Sequence, residues 1–298
     1  NFLDTPGKGI FIQDARNSMR VSDAALILVD AVAGVEVQTE KVLQFSKEFN
    51  LPICFVINKL DRENADFERA VLSLQQHFGR TAIPVQLPIG QEKTLTGVVD
   101  LIELKAAQYE PEGSGKLTPI EIPDSLHEVA QKGHEVLVEM VAEGNDQLME
   151  QFFEEGTIPT PDLIPGFKLA VAERRIFPIY SSSALLNVGT QNLVEGIVNY
   201  LPCPMDSPPR LGSNSDPGNE RKGDESEPTS TYVFKTLADP FAGRLSYLKL
   251  VSGVLKNDAI LSNFNKEHSE RLAHLSIPQG KSAIEVSHLY PGDIGVVA

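Results

Sequence analysis

The chain has 298 residues, enough for two domains, and its 41% hydrophobic and 22% charged residues are the balance of an ordinary globular protein. A formal net charge of −15 argues against gripping nucleic acid over the whole surface and leaves local RNA contacts open. No apolar stretch approaches the roughly 20 residues of a membrane span, Asp4 and Lys8 interrupt any signal-peptide core, and Cys54 and Cys203 make no disulfide framework. A reducing, cytoplasmic setting without a membrane is therefore expected.

Asn1-Phe2-Leu3 already has strand character, Gly295-Val296-Val297-Ala298 has it again, and there is no initiator Met. The chain reads as cut from something longer. Asp4-Thr5-Pro6-Gly7 follows as a strand end and turn, then a helical pattern from about Phe11 to Val21. Ala24 to Asp30 and Ile53 to Ile57 are short apolar runs of the kind buried on both faces of a parallel sheet. Helices are expected between them, around Val42, Leu43 and Phe45, and after them, from Asp66 to Phe78. This alternation predicts a parallel sheet with crossover helices.

From Ile83 the pattern changes. Ile83 to Ile89 and Gly97 to Leu101 read as edge strands, because prolines are confined to such places. Acidic helices follow near Asp124–Glu143, Asp146–Glu154 and Pro161–Arg174, so an inserted subdomain is expected at about 80–175. The core resumes at Phe177 to Tyr180, runs into Ser181-Ser182-Ser183-Ala184, and feeds a helix with Leu193, Ile197 and Tyr200. The first domain is placed at 1–204. A Pro/Gly/Ser-rich linker spans 205–229, and alternating strands from 230 to 298 predict a small antiparallel β-barrel.

In an open α/β sheet, ligands collect beyond the carboxyl ends of the strands. Asn58-Lys59-Leu60-Asp61 stands at such an end. Asp61 can accept from the ring N–H and exocyclic amine of guanine, whereas adenine would leave a buried carboxylate without a donor. The aliphatic stem of Lys59 can cover one face of the base. Asp4 at a strand end can hold the hydration shell of Mg²⁺, and the Gly7 N–H can approach a terminal phosphate because no Cβ intervenes. The Ser183-Ala184 turn can offer a backbone N–H to a guanine carbonyl oxygen.

These clusters resemble the DTPG, NKxD and SA elements of the translational GTPases, and the chain as a whole is most similar to the elongation factor G family. Leu87-Pro88-Ile89-Gly90 and Gly97-Val98-Val99-Asp100-Leu101 resemble that family's insertion, and Asp239-Pro240-Phe241-Ala242-Gly243 and Tyr290-Pro291-Gly292-Asp293-Ile294 its second domain. The resemblance implies an α/β P-loop-type GTPase domain lacking its N-terminal part, with a mixed α+β insertion, then an antiparallel β-barrel. It implies a monomeric, GTP-hydrolysing elongation factor that binds the ribosome, its RNA and stalk proteins, and moves tRNA and mRNA. GTP or GDP would be held by Asp4, Thr5, Pro6, Gly7, Asn58, Lys59, Asp61, Ser183 and Ala184. Asp4 would bind Mg²⁺ through water, and Gly7 would sense the γ-phosphate. All of these residues are expected to converge on one pocket.

Two departures stand against the pattern. The family's phosphate-cradling Gly-rich loop and first switch segment are not in these 298 residues, so this stretch alone is expected to bind GTP weakly and not to hydrolyse it measurably. Lys8 occupies the place of the family's water-positioning His, and a protonated Lys has no acceptor lone pair. A paralogue with altered hydrolysis, an electrostatic substitute for the His and a sequence artefact are the competing readings. Release-factor recycling and ribosome-protection GTPases remain alternatives, as does a ribosome-binding regulator that no longer hydrolyses GTP.

His127 and His134, each followed by Glu (Glu128, Glu135), are seven apart, not at the i,i+4 spacing of a helical metal site, so ordinary surface residues are the simpler reading. The acidic helices are a solvated face or a docking face for a stalk protein. Arg244 and Lys249 are ordinary exposed charges or contacts to ribosomal RNA, and Met140 and Met149 are core filler.

Overall fold

The computed structural model describes residues 1–111, 113–208, 210–211, 220–240, 243–280 and 282–298. Residues 209 and 212–219 of the expected linker, and Phe241 and Ala242 of the 239–243 motif, lie outside the described residues. The chain forms two compact units, one of Ala24–Leu201 and one of Asn1–Asp23 with Pro202–Ala298.

The first unit is built on a parallel sheet in the order β1 (Ala25–Asp30), β2 (Ile53–Asn58), β8 (Phe177–Ser181), β3 (Ala82–Pro84). Side chains of β2 alternate between two cores. Cys54 and Val56 face one with Tyr180 and Phe167, while Ile53, Phe55 and Ile57 face the other with Leu74 and Ile179. A strand covered on both sides needs no polar residue until it leaves the sheet, which is why its first polar position is Asn58. The crossover helices are α2 (Val37–Glu48) and α3 (Phe67–Phe78). Asp66 caps α3 by accepting from the Arg69 N–H at 2.9 Å, and the apolar face of the helix buries Ala70, Val71 and Leu74.

The stretch read as one strand over 83–89 is two. Ala82–Pro84 pairs with β8 in the parallel sheet, and β4 (Gln86–Ile89) pairs antiparallel with β5 (Gly97–Asp100). Two further strands complete that second sheet, β6 (Lys105–Tyr109) and β7 (Leu117–Ile120), in the order β4-β5-β6-β7. Neither announces itself in the sequence, since Lys105-Ala106-Ala107-Gln108 lacks β-branched residues and Pro119 lies on the edge strand. The acidic helices form as α4 (Asp124–Ala142), α5 (Asp146–Glu155) and α6 (Thr160–Ala172). Their inner faces bury Leu137, Val141, Leu148, Leu163 and Phe167 in the core shared with Cys54 and Val56. Met140 lies in that core and Met149 packs against it. His134 gives its Nδ1 to the Leu101 carbonyl at 2.7 Å, and no group of three metal-ligating side chains occurs among the described residues. Helix α7 (Thr190–Tyr200) closes the unit.

Asp100 ends β5 with its Oδ1 accepting from the Ile102 and Glu103 N–H groups at 2.8 and 2.9 Å. Burial pushes its carboxyl up to about 6, against the lowering effect of those two donors. The folded state thus keeps a proton on Asp100 that the unfolded state loses near pH 4, so this group's contribution to stability falls as pH rises through roughly 4 to 6 and is constant above. Asp100→Asn keeps the acceptor and removes the charge. It is expected to match the parent at pH 4 and exceed it by ~2 kcal/mol at pH 7.5 in urea unfolding. A variant weaker than the parent at pH 7.5 contradicts this.

In the second unit, α1 (Ile12–Val21) accompanies an antiparallel sheet in the order 230–239, 243–252, 294–297, 276–279, 282–285. Leu248, Leu250, Leu255, Leu275 and Leu289 form its core. Residues 1–7 are irregular rather than a strand, since a strand exists only where a neighbour supplies hydrogen bonds and none of the described strands pairs with them. Lys249 corrects the expectation of an exposed charge. It is only 3% exposed, and its ammonium donates to Asp23 Oδ2 at 2.6 Å and the Val21 carbonyl at 2.8 Å. Its strand position, between core residues Leu248 and Leu250, turns it to the opposite face, where those acceptors lie. Arg244 is exposed as expected.

Candidate functional site

Beyond the carboxyl ends of β2 and β8, two loops are tied together by side chains far apart in the chain. Asn58 ends β2, and its Oδ1 accepts from the Lys59 N–H at 2.8 Å and the Ala184 N–H at 2.9 Å. Lys59 takes the left-handed backbone conformation, φ 66°, which a non-glycine residue adopts at a cost and keeps only where its surroundings hold it. That turn directs Leu60, 4% exposed, into the core of Ile57 and Val188. Burial of Leu60 anchors the loop between the two polar residues it separates. Asp61 then receives the Ser183 hydroxyl on its Oδ1, and the same Ser183 Oγ accepts the Leu186 N–H at 3.1 Å.

The backbone repeats the connection. The Ser182 N–H donates to the Ile57 carbonyl at 2.9 Å, and Ser183 exchanges two 3.0 Å bonds with Val188. The loop closes at Gly189, φ 79°, where an added Cβ would come within 2.3 Å of the Ser181 carbonyl oxygen. Only glycine allows that approach. Ser183 is buried, Asp61 half-buried, and Lys59 and Ala184 exposed, so the cluster presents a carboxylate, a lysine stem and a small residue on an anchored base.

Asn58, Lys59, Asp61, Ser183 and Ala184 are thus brought together. Asp4, Thr5, Pro6, Gly7 and Lys8 belong to the other compact unit. Asp4, Pro6, Gly7 and Lys8 are exposed there, and the Lys8 carbonyl accepts the Phe11 N–H at 2.9 Å at the start of the helical segment. The Ala184 N–H, expected to face a base carbonyl oxygen, is engaged by Asn58. One residue escaped sequence reading. Asp30 lies beside Asn58 in the β1–β2 register and accepts Lys59 Nζ at 2.8 Å and Arg62 Nη1 at 3.3 Å on its Oδ2. Its place at the end of a neighbouring strand was the available signal.

The chemistry of the donors and acceptors fits a guanine base. Asp61 keeps a carboxylate oxygen beyond the one that Ser183 bonds, as recognition of a ring N–H and an adjacent amine requires. Asp4, an exposed carboxylate, is also in keeping with Mg²⁺, which is usually held by one or two carboxylates together with phosphates.

The parallel sheet and its linked strand-end loops define a nucleotide-binding α/β domain of the GTPase class, followed by an antiparallel β domain. The model of the elongation factor Tu GTP-binding domain matches residues 1–203, and that of elongation factor G domain 2 matches residues 228–298. The chain belongs to the elongation factor Tu GTP-binding domain family, with the two-domain arrangement of the elongation factor G type. It is similar to the elongation factor G of Thermotoga neapolitana, with 36% identity over 296 residues, 99% of this chain and 43% of that protein. A crystal structure from Thermus thermophilus matches with a TM-score of 0.85 and 29% identity, covering 99% of this chain and 41% of the other. The chain spans about two-fifths of the length of these relatives. No helix among the described residues is long and apolar enough to cross a membrane.

Proposed function

We propose that the complete protein is a GTP-driven factor that binds the ribosome and promotes the movement of tRNA and mRNA during elongation. The observation that carries this is the linkage of Asn58, Asp61, Ser183 and Ala184 into one anchored cluster at the strand ends, in a chain of this family. Asp61 reads the guanine ring N–H and amine, with Ser183 holding the carboxylate in place. The Lys59 stem covers the base, and the Ala184 N–H is shared between Asn58 and the base carbonyl oxygen. Asp4 would hold Mg²⁺ through water, with Thr5, Pro6 and Gly7 shaping the turn toward the terminal phosphate. Bound Mg²⁺ supplies charge neutralisation at the phosphates.

The functional domains are 1–204 and 230–298, joined by 205–229, with the insertion at about 80–175. The acidic outer faces of α4 to α6 are a docking surface for a ribosomal stalk protein, and the protein works in the cytoplasm as a monomer.

The test is a toeprint of pre-translocation ribosomes with the complete protein. GTP should advance the complexes by one codon and ATP should not. Equal advance with either nucleotide, or none with GTP, overturns the proposal. At Lys8 the reading is slowed hydrolysis, because an ammonium cannot accept a proton from water. Lys8→His is expected to raise the single-turnover rate on ribosomes by about 10²-fold or more, the usual scale of a positioned base. Equal rates would show that the position does not limit hydrolysis.

A further inference from the structure

Lys59 lies on an exposed loop, with its side chain about half open to solvent, and a lysine so placed ordinarily samples many rotamers. Here its ammonium is tied. Asp30 Oδ2 accepts it at 2.8 Å and shares the same oxygen with Arg62 Nη1 at 3.3 Å. Asp30 is itself fixed, because its Oδ1 accepts the Val32 N–H at 2.9 Å and the Ala33 N–H at 3.4 Å. Its place in the sheet is set by the register with Asn58, the residue before Lys59. One carboxylate thus joins the end of β1 to the lysine of the neighbouring loop.

We propose that Asp30 is a positioning residue for guanine-nucleotide binding, holding the stem of Lys59 in the orientation that covers the base. This rests on the guanine reading of the Asn58–Asp61 loop. The reasoning is entropic. A side chain with four rotatable bonds that must be ordered over a ligand loses roughly 0.5–1.5 kcal/mol on binding, and a partner that orders it beforehand removes that cost. With the lysine half open to solvent the pair is expected to add little to fold stability, so the melting temperature separates a structural role from one in binding. Burial raises the Asp30 carboxyl, but its bonds from Lys59 and the Val32 N–H more than offset this and leave it lowered, which favours the charged form.

Asp30→Asn keeps the Oδ1 acceptor for Val32 and Ala33 and removes the charge that orders Lys59. The experiment measures affinity for GDP, with ADP as the comparison, by competition against a fluorescent GDP analogue. It uses the complete protein as parent, its Asp30→Asn, Lys59→Met and double variants, with melting temperatures alongside. The expected result is a loss of about 3- to 10-fold for Asp30→Asn, the ordering cost expressed as affinity. Lys59→Met should lose at least as much, and the double variant no more than Lys59→Met alone, with melting temperatures nearly unchanged. A purely structural Asp30 would instead lower the melting temperature and weaken binding equally in both backgrounds. That result, or parental GDP affinity in Asp30→Asn, overturns the proposal while the guanine reading stands. A parent protein that binds GDP no better than ADP overturns both.

Discussion

Asp61→Asn is expected to weaken GDP binding by about 10²-fold or more and to turn the preference toward xanthosine diphosphate. The carboxylate offers only acceptors, the complement of guanine's ring N–H and 2-amine. An asparagine amide places a donor against the 2-amine, leaving buried donors facing each other, and sites that lose a designed hydrogen bond typically discriminate by several orders of magnitude. Xanthine has an oxygen where guanine has the amine, so the same amide becomes complementary. The Asn can still receive the Ser183 hydroxyl, which separates loss of reading from loss of loop structure. Competition with the two diphosphates reads the result directly. Unchanged preference in the variant would remove Asp61 from base recognition.

The largest stability effect is expected at Asp23. Burial pulls the Lys249 ammonium down, partly countered by Asp23, so this cation is tolerated in its site only because of its acceptors. Asp23→Ala leaves the ammonium with the Val21 carbonyl alone and is expected to cost about 3 kcal/mol in urea unfolding, the low end for a broken buried pair because the Asp23 side chain is 18% exposed. Adding Lys249→Met to that variant removes the buried stranded charge, while Arg210, which also bonds Asp23 at 3.3 Å, is more exposed and keeps the Ser22 carbonyl, so most of the stability should return. If the single and double variants are equally weak, the pair is not what holds this site.

What could be read from the sequence divides along physical lines. Ile53 to Ile57 declared its strand because burial on both faces leaves an unbroken apolar run, and the polar tetrad after it marked where the chain leaves the sheet. The three acidic helices were legible from their period. Lys105–Tyr109 and Leu117–Ile120 were not, since alanines and a proline carry no strand signal and only pairing makes them strands, the first with β5 and the second with the first. Long-range partners were equally hidden. Ser183 and Asp61 are 122 residues apart, and nothing local says that a hydroxyl in one loop will hold a carboxylate in another. Lys249 looked like a surface charge because a strand's alternation says which residues share a face, not whether the other face is wet. Asp30 ended a buried strand in full view, but its bond to Lys59 depends on the register of two parallel strands, which no local pattern fixes.

The central claim is that residues from two distant loops read one purine through a carboxylate. Equilibrium competition between GDP and ADP for the complete, unmodified protein tests it most directly. The structure predicts displacement of a labelled guanine nucleotide by GDP at concentrations about 100-fold below those needed with ADP. Equal displacement by the two would contradict the account.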